Sequence, residues 1–447
     1  MVPAYAATML KNMGHEVFWM DGPAEGWTWR EYLDKLRNEV FPDLILWEVK
    51  TPIVKRVWPL VDEVKKLMPY CKVVLCGDHI TALPQESVDN CDVDNLILGG
   101  DFDFALIYLI RKNTIIKKQE WKRSVEDYKT DTQLSHLPVI DRELTKWRLY
   151  AYRNGNYKYL PATYTYFGRD CWYRKDGGCT FCSWTNTFKN FRVVSVAQAM
   201  AEVENCARLG IREIFDDTGT FPIGKWLHDF CNEMRKFNKE KRHGKARITM
   251  GCNMRPGALR EDDYRLMGQA GFRFILYGME SANFETTERI NKGQSEGDSE
   301  ESVRWASKYG MDPHLTLMVG YPWETRQQAE RTINQARQLF QRGFAKTLQA
   351  TICIPYPGTK LFRQCKENGW LKYGENWNEY NMRKPVMTCP MTDEEVLEMT
   401  RGIYKSCLTP SFMARKVLSI RTKDDVKFLY RAGKHLLGHL RDFKGVH

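Results

Sequence analysis

The chain has 447 residues, of which 43% are hydrophobic and 28% are charged, and its formal net charge is +11 at pH 7. This length allows two or three domains, and the composition excludes a disordered, fibrous or collagen-like protein. Because no apolar run approaches the roughly 20 residues that cross a bilayer and no signal segment opens the sequence, we expect a soluble, cytoplasmic protein.

Residues 1–125 have the pattern of an open α/β sheet. Apolar strands are predicted at His15–Asp21, Asp43–Val49, Lys72–Asp78 and Asn95–Gly100, and a helix is predicted over Val54–Met68. Strands that alternate with helices in this way form parallel sheets. The first predicted helix, Ala4–Met13, begins almost at Met1, so the strand that should precede it is missing. We therefore expect a Rossmann-like domain without its first strand.

A second α/β domain, residues 159–370, follows a polar linker at residues 126–158. Its strands are predicted at Thr163–Phe167, Glu213–Phe215, Arg247–Gly251, Phe272–Tyr277, His314–Val319 and Leu348–Ile354, with helical patterns between them. Six βα repeats predict a partial (βα)6 barrel. Residues 371–447 show amphipathic helical patterns at Asp393–Leu408 and Asp424–Leu440, which predict a basic C-terminal helical cap.

Polar or chain-turning residues follow each of the six predicted barrel strands. They include Asp217 after the second strand, Arg255 after the third, and Gly278 and Glu280 after the fourth. Loops at the carboxyl ends of barrel strands converge on one rim, where catalytic residues gather. Asp, Gly and Pro also end strands for reasons of turn geometry alone, which is the alternative at any single position. Their presence at all six ends favours a functional rim.

Three of the 13 cysteines lie close together in sequence, at the end of the first barrel strand. Cys171, Cys179 and Cys182 stand in FGRDCWYRKDGGCTFCSW, whereas the others are scattered, which argues against a disulfide scaffold. Three thiolates do not complete a tetrahedral structural zinc site. Soft thiolates also suit an iron–sulfur cluster, and a four-iron cluster on three cysteines leaves one iron open to a small molecule. The C-x2-C pair alone is shared by zinc, redox and cluster sites.

The sequence around these cysteines resembles the core of a radical S-adenosylmethionine enzyme. The resemblance covers roughly residues 160–370 and rests on Tyr166–Trp184, Ile275–Ser281, Glu288–Gly293, Met318–Thr325 and Ile354–Thr359. It implies that Cys171, Cys179 and Cys182 hold a [4Fe-4S] cluster whose free iron binds S-adenosylmethionine. It further implies that an electron from the cluster cleaves S-adenosylmethionine to a 5′-deoxyadenosyl radical, which abstracts hydrogen from an unactivated carbon.

The chain departs from the family pattern in one interval. The usual spacing is C-x3-C-x2-C, whereas seven residues separate Cys171 from Cys179 here. We expect Gly177 and Gly178 to let the longer loop fold back, because glycine tolerates the left-handed conformations that tight turns require. The resemblance also implies the residues that bind S-adenosylmethionine, which are Phe181 beside the adenine and the polar groups Asp217, Arg255, Gly278 and Glu280.

The N-terminal sheet resembles the cobalamin-binding domain of the cobalamin-dependent branch of that family, through residues 3–21 and 73–86. Open parallel sheets bind ligands beyond the carboxyl ends of their strands. The resemblance implies a cobalamin there, against Gly77, Asp78, His79, Thr81, Gly99 and Gly100. The D-x-H-x-x-G motif of proteins that ligate cobalt through histidine is absent, so we expect His79 to form hydrogen bonds or to have a structural role. A nucleotide-binding fold, which shares the general signal of the sheet, is the alternative.

Three functional hypotheses follow. The leading one is a cobalamin-dependent radical S-adenosylmethionine methyltransferase that transfers a methyl group from methylcobalamin to an unactivated carbon. The second keeps the cofactors but replaces methylation with a rearrangement, a cyclisation or a ring contraction. The third is a zinc- or cluster-stabilised module that binds nucleic acid without catalysis. The sequence assigns no general acid or base.

The C-terminal tail carries most of the excess positive charge. Residues 411–447 contain nine Lys or Arg against three Asp. We interpret them as a solvated surface, so nucleic acid is not indicated. The expected partners are a small-molecule or natural-product-like substrate and an external one-electron donor such as a flavodoxin or ferredoxin. The cap either packs against the barrel or closes over the substrate, with its pocket lined by Trp370, Tyr373, Trp377, Tyr380 and Met382.

Overall fold

A computed structural model of the chain describes residues 1–111, 132–240 and 247–442. Within these residues, a small parallel sheet is followed by a larger parallel sheet of six strands and by C-terminal helices. The predicted α/β fold class is confirmed. The predicted domain boundary at residue 125 lies outside the described residues, as does the beginning of the predicted linker.

The N-terminal sheet has three parallel strands in the order β1-β2-β3. They are β1 (Leu44–Glu48), β2 (Lys72–Cys76) and β3 (Asn95–Ile97). The helices of this region are α1 (Val2–Asn12), α2 (Gly22–Glu25), α3 (Trp29–Lys35), α4 (Val54–Leu67), α5 (Asp78–Ala82), α6 (Pro84–Asn90) and α7 (Phe102–Arg111). The central strand, β2, is buried along almost its whole length. Burial on both faces explains why its sequence is a continuous apolar run.

The prediction of a strand at His15–Asp21 is wrong. This segment has no regular secondary structure and pairs with no strand of the described residues. Its side chains instead contact Tyr150: the indole of Trp19 donates a hydrogen bond of 2.9 Å to the Tyr150 hydroxyl, which donates one of 2.7 Å to the Asp21 carboxylate. Contacts with the segment that leads into the second domain therefore replace the ladder that the apolar pattern predicted.

The second sheet has six parallel strands in the order β11-β10-β9-β8-β7-β4. These are β4 (Ala162–Thr165), β7 (Glu213–Asp216), β8 (Thr249–Met254), β9 (Phe272–Glu280), β10 (Asp312–Val319) and β11 (Thr347–Ile352), and a short ribbon of β5 (Gly168–Arg169) and β6 (Arg192–Val193) follows β4. Over the described residues the edge strands β4 and β11 do not pair with each other, so the barrel is open on one side. The predicted partial barrel is confirmed, with every strand within a few residues of its predicted place.

Helices cover the outer face of this sheet and continue into the cap. They are α8 (Trp184–Thr187), α9 (Val196–Arg208), α10 (Lys225–Glu240), α11 (Glu261–Ala270), α12 (Phe284–Arg289), α13 (Asp298–Lys308), α14 (Arg326–Gln341), α15 (Lys360–Glu367), α16 (Asp393–Ser406), α17 (Pro410–Leu418) and α18 (Lys423–Asp442). Capping boxes start α9, α14 and α16, where Ser195, Thr325 and Thr392 each accept a hydrogen bond from the backbone three residues on. No helix among the described residues has the length and apolarity that crossing a membrane requires.

The inner face of the barrel is packed at its base, where Tyr164, Phe215, Phe274 and His314 contact one another. Above this cluster, the outward residues of β9, β10 and β11 are buried against the helices, whereas the alternate, inward residues are half-buried or exposed. The inward residues are Leu276, Gly278, Thr316, Met318, Gln349 and Thr351. Successive side chains of a strand point to opposite faces, so this alternation describes an accessible space inside the barrel. We call that space the lumen.

The two α/β regions are joined by a completely buried ion pair. Arg169, on β5, donates a hydrogen bond of 2.6 Å to the carboxylate of Asp103, on α7, and both side chains have no exposed surface. The cap is joined to the barrel by ion pairs at the start of α18, from Arg212 to Asp424 at 2.7 Å and from Lys158 to Asp425 at 2.6 Å. The cap therefore packs against the barrel, at its open side.

Candidate functional site

The three clustered cysteines lie in one loop after β4, which the β5–β6 ribbon encloses. Cys171, Cys179 and Cys182 are partly exposed, whereas nine of the other ten cysteines are buried. Cys171 Sγ lies 3.0 Å from the hydroxyl of Thr220, and the backbone N–H of Cys182 donates to the carbonyl of Cys179 at 3.2 Å. Burial, with smaller contributions from the neighbouring thiols Cys179 and Cys171, raises the pKa of Cys182 to about 12. A thiol with a raised pKa loses its proton and becomes a ligand only when a positive centre stabilises the thiolate.

The enlarged interval between Cys171 and Cys179 folds back through three successive left-handed residues. Asp176, Gly177 and Gly178 have φ angles of 49°, 82° and 77°. A Cβ on Gly178 would lie 2.7 Å from a methyl carbon of Thr185, so only glycine fits there. Asn291 fixes the loop by donating to the carbonyl of Gly178 at 3.0 Å. The expectation that these two glycines turn the loop is confirmed.

Arg255, at the end of β8, reaches the cysteine loop. Its guanidinium lies 3.6 Å from the ring centroid of Tyr173 and 3.9 Å from Cys179 Sγ, and it donates to the carbonyl of Lys292. A cation over an aromatic ring is attracted by the ring's negative face. Burial raises the pKa of Cys179, whereas Lys292 and Arg255 act in the opposite direction. Arg255 is therefore buried against the cysteine loop and is not a surface residue.

Glu280 and Lys292 form a buried ion pair next to Arg255. Lys292 Nζ lies 2.7 Å from Glu280 Oε1, and less than a tenth of each side chain is exposed. Burial would lower the pKa of Lys292, but the carboxylate of Glu280 and the thiol of Cys179 outweigh it, so that the pKa is raised. A Cβ on Gly278 would lie 2.5 Å from Glu280 Oε1 and 2.6 Å from Lys292 Nζ. Gly278 is thus required for the two charged groups to approach the inner face of β9.

The remaining residues predicted for this rim are divided between two places. Phe181 lies in the cysteine loop with its ring centroid 5.8 Å from Lys292 Nζ, so it joins the Arg255–Glu280–Lys292 group. Asp217 lies one strand away, where the side-chain amide of Asn253 donates to it at 3.1 Å. Burial raises the pKa of Asp217. Of the five predicted residues, Phe181, Arg255, Gly278 and Glu280 lie together, and Asp217 occupies the neighbouring strand end.

The donor set fits a cluster better than a single ion. Among the described residues, no three His, Cys, Asp or Glu side chains are close enough to hold one metal ion. A four-iron cluster is larger than an ion, so its thiolates stand farther apart. Its charge is balanced by nearby cations, and Lys292 and Arg255 supply them at Cys179. Three thiols around one cationic rim therefore match the group that the resemblance implies.

A second buried carboxyl lies at the end of β10. The backbone N–H of Gly320 donates to Glu324 Oε2 at 2.7 Å, and Glu324 has no exposed surface. Burial raises the pKa of Glu324 to about 7, although hydrogen bonds from the backbone of Gly320 and Tyr321 oppose the shift. Sequence reasoning missed this group, although it stands in the quoted segment Met318–Thr325.

The raised pKa of Glu324 predicts a pH-dependent loss of stability. The unfolded carboxyl ionises near pH 4.5 and the folded one near pH 7, so the loss begins above about pH 4.5, grows up to pH 7 and is constant beyond it. We expect Glu324→Gln to gain about 3 kcal/mol over the wild type between pH 4.5 and 8. Urea unfolding of the full chain measures this difference, with the exposed Glu330→Gln as control. Parallel pH profiles for wild type and Glu324→Gln would contradict the prediction.

The carboxyl ends of the N-terminal strands form a second group of predicted site residues. Gly77 has a φ of 116°, and a Cβ there would lie 2.5 Å from the carbonyl oxygen of Val49. The Thr81 hydroxyl donates to the Gly77 carbonyl at 2.7 Å and accepts from the Gly99 N–H at 3.0 Å. Thr81 thereby joins the two loops that follow β2 and β3. Asp78, Thr81 and Gly99 are partly exposed at this edge.

His79 points away from this edge into the protein. It is completely buried, with Nδ1 3.2 Å from the hydroxyl of Thr51 and Nε2 3.5 Å from the carboxylate of Glu86. Its ring also packs edge-on against Trp377, at a centroid distance of 5.4 Å. These contacts agree with the structural role expected for His79 and exclude its ring from the ligand edge.

The two groups of site residues face each other. The N–H of Gly100 donates to the carbonyl of Thr187 at 2.8 Å, five residues after Cys182, and α5 lies against α8. A Cβ on Gly100 would lie 2.1 Å from the ring of Phe188. The carboxyl edge of the N-terminal sheet thus meets the short helix α8, which directly follows the cysteine loop.

Two of the aromatic residues that the alternative interpretation of the cap assigned to a substrate pocket, Trp377 and Tyr380, belong to the packed core. Trp377 and Tyr380 are almost completely buried and pack on each other at 5.1 Å. Trp377 also donates to the Glu86 carboxylate at 2.7 Å. These side chains fasten the segment after the barrel to the N-terminal domain, so the prediction of a pocket lined by them is wrong for this pair.

Comparison with known proteins agrees with this geometry. Residues 165–336 match the radical SAM superfamily. An uncharacterized methyltransferase of Pyrococcus horikoshii is 26% identical over 419 residues, which cover 90% of this chain and 86% of that protein. The anaerobic magnesium-protoporphyrin IX monomethyl ester cyclase of Cereibacter sphaeroides is 22% identical over 90% of this chain and 66% of its own length. The solved cobalamin-dependent S-adenosylmethionine radical enzyme OxsB superposes with a TM-score of 0.69 at 14% identity, covering 98% of this chain and 68% of that chain.

Proposed function

Because residues 165–336 match the radical SAM superfamily, we propose that this chain is a cobalamin-dependent radical S-adenosylmethionine enzyme that transfers a methyl group to an unactivated carbon of a small-molecule substrate. One observation carries the proposal: the carboxyl edge of the N-terminal sheet meets α8, which directly follows the cysteine loop, at Gly100 and Thr187. A group carried at that edge and a radical formed at the loop would reach the same substrate atom. The net change replaces one C–H hydrogen with a methyl group.

The residues around the cysteine loop and the residues at the carboxyl ends of the N-terminal strands would bind different cofactors. Cys171, Cys179 and Cys182 would hold the [4Fe-4S] cluster, and the rim of Phe181, Asp217, Arg255, Gly278 and Glu280 would hold S-adenosylmethionine. The edge at Gly77, Asp78, Thr81, Gly99 and Gly100 would hold cobalamin. When bound, these groups supply an electron, a 5′-deoxyadenosyl radical and a transferable methyl group. An external one-electron donor such as a flavodoxin or ferredoxin completes the proposal.

The protein's own residues position these groups and exclude water. The Glu280–Lys292 pair presents a carboxylate and an ammonium on the inner face of β9, which suits the charged amino and carboxylate groups of a methionine moiety. Arg255 adds a cation that Tyr173 holds in place. The buried walls around them lower the local dielectric, so these charges act more strongly than they would in water.

Two products of S-adenosylmethionine test the proposal without a known substrate. The full chain, reconstituted anaerobically with iron, sulfide and cobalamin, should contain about four iron atoms and one cobalt per chain. With S-adenosylmethionine and dithionite we expect 5′-deoxyadenosine from the radical half-reaction and cobalamin-dependent S-adenosylhomocysteine from the methyl half-reaction. Iron without cobalt, or zinc alone, would contradict the proposal.

A second function keeps both cofactors without methyl transfer. The similarity to an anaerobic cyclase over 90% of this chain favours it specifically. A rearrangement, cyclisation or ring contraction would give 5′-deoxyadenosine and no S-adenosylhomocysteine. The same assay therefore separates the two functions.

The burial of His79 predicts that its side chain is not a cobalt ligand. We expect the cobalt(II) electron paramagnetic resonance spectrum of the cobalamin-loaded protein to be the same in His79→Gln as in the wild type, while unfolding becomes easier by about 1–3 kcal/mol. Loss of a nitrogen splitting in His79→Gln would overturn this. Thr81→Val is the positive control, because the hydroxyl that joins the two loops is lost and cobalamin affinity should fall roughly tenfold.

A further inference from the structure

A large cavity lies at the base of the barrel, away from the cysteine loop. Its volume is about 730 Å³, within the usual range for small-molecule sites. It opens where β10 and β11 begin, between the open side of the barrel and the helices α16, α17 and α18. Most of its lining is apolar, including Phe340, Leu348, Phe412, Phe428, Leu429 and Leu436.

The cavity borders the lower end of the lumen, along β11. Tyr164 and Gln349 line the cavity, and both are inward residues of barrel strands. Above Gln349 the inward positions Thr316, Met318 and Thr351 are only half-buried, so the space is not closed by packing. β11 rises about 17 Å from Thr347, which lines the cavity, to Ile352, at the carboxyl end of the strand.

Unpaired cations stand at one wall of the cavity. Lys346 and Lys416 line it, and with Arg415 they also line a smaller adjoining cavity of about 160 Å³. The acids of the smaller cavity are already paired, Asp312 with Arg273 at 3.0 Å and Asp425 with Lys158 at 2.6 Å. In the described part of the chain no carboxylate forms an ion pair with Lys346, Arg415 or Lys416.

The surroundings of the two lysines compensate their charge only in part. Lys346 donates to the Gly343 carbonyl at 2.7 Å, and Lys416 lies over the ring of Phe412. Desolvation lowers the pKa of Lys416, and the charge of Asp312 opposes the shift only in part. Partly buried cations without an acidic partner are favourable sites for an anionic group.

We propose that this cavity binds the substrate and that the substrate is an elongated amphipathic anion. Its apolar chain fills the cavity and the lumen, and its carboxylate or phosphate lies against Lys346, Arg415 and Lys416. A compact substrate would leave the lumen empty, whereas a chain longer than about 17 Å reaches from the cations to the rim. This inference rests on the proposed function, because it names the substrate class of the same enzyme.

A helix glycine allows the cavity to be filled without disturbing the core. Gly433, on α18, lines the cavity, and a Cβ there meets no atom within 4 Å. Gly438, on the same helix, is equally open and does not line the cavity. Replacing either glycine also favours the helix, so neither variant should unfold.

Fluorescent titration of the full chain with cis-parinaric acid tests the cavity. We expect micromolar binding by the wild type and by Gly438→Trp, and at least tenfold weaker binding by Gly433→Trp. Absence of binding to the wild type, or equal binding by all three proteins, would overturn the inference. Circular dichroism verifies that both variants are folded.

The preference of the cavity for an anionic group is tested by comparing cis-parinaric acid with its methyl ester. The double variant Lys346→Met/Lys416→Met should bind cis-parinaric acid at least roughly tenfold more weakly than the wild type. Its affinity for the neutral ester should equal that of the wild type. Lys427→Met, an exposed residue of α18, is the matched control. Equal losses for acid and ester would overturn the anionic assignment. Displacement of the probe by dodecyl phosphate at lower concentration than laurate supports a phosphate head, and the reverse order supports a carboxylate.

These titrations need neither the cluster nor catalysis. If 5′-deoxyadenosine forms but no probe binds, the substrate class is wrong and the proposed function stands. If the probe binds as expected but the chain takes up neither iron nor cobalt, the cavity stands and the proposed function fails.

Discussion

Replacing Cys171, Cys179 or Cys182 with alanine, one at a time, is expected to remove the iron–sulfur cluster and to lower 5′-deoxyadenosine formation by at least about a thousandfold. The three thiols are partly exposed, and the cation of Arg255 lies next to Cys179. The cluster that they would hold would supply the electron that cleavage needs. Iron analysis and the absorbance of the reconstituted protein measure the loss of the cluster, and chromatography of the nucleoside measures the loss of cleavage.

Cys389→Ala is the matched control for these variants. Cys389 is also partly exposed, but its Sγ lies against the carbonyl of Met391, away from the loop. It should keep full iron content and full activity. Wild-type iron in any of the three loop variants would contradict the assignment of that cysteine.

Lys292→Met is expected to lower S-adenosylmethionine cleavage by roughly a hundredfold or more. The substitution removes the cation at Cys179 and leaves the Glu280 carboxylate buried without its partner. Breaking a buried ion pair from one side costs about 3–5 kcal/mol, which divides between stability and binding of the methionine moiety. Single-turnover cleavage and thermal unfolding measure the two parts separately.

The double variant Lys292→Met/Glu280→Gln separates a role in the site from a structural role. Removing both charges should restore most of the lost stability, because no unpaired charge remains buried. Cleavage should stay low, because neither charged group is available to S-adenosylmethionine. Recovery of both properties would show that the pair only stabilises the fold. Lys308→Met, which breaks the exposed pair with Glu261, should change either property by less than about threefold.

The strands of the barrel could be predicted from sequence because each is a buried run bounded by turn residues. β10 and β11, for example, lie within two residues of their predicted ranges. The apolar segment His15–Asp21 has the same local pattern, but it lacks a strand partner and packs on Tyr150. Strand formation depends on a neighbour, which a local pattern does not contain.

Two cap helices show what the local signals can and cannot provide. α16 and α18 have amphipathic patterns and acidic first turns, and both were predictable. α17 was missed, although Thr409 caps it and Pro410 occupies its first turn, which are recognised start signals. The cavity that α17 helps to close could not be predicted, since it depends on how three helices meet the open side of the barrel.

Within the candidate site, sequence indicated the cysteines and four of the grouped rim residues. It missed Lys292 and Tyr173, because their roles come from contacts between separate loops: Lys292 pairs with Glu280, and Tyr173 lies under Arg255. A signal was present, since Lys292 belongs to the quoted segment Glu288–Gly293. A lysine directly before a glycine does not by itself distinguish a buried cation from a solvated one.

The buried pair of Arg169 and Asp103 also determines how the two α/β regions respond to perturbation. Neither charge can be exposed alone without leaving the other uncompensated in the protein interior, which costs about 3–5 kcal/mol. Arg169 stands two residues before Cys171, so the beginning of the cysteine loop is anchored to a helix of the other region. We therefore expect the two regions to unfold together, and a perturbation of the small sheet to change the position of the Cys171 thiol.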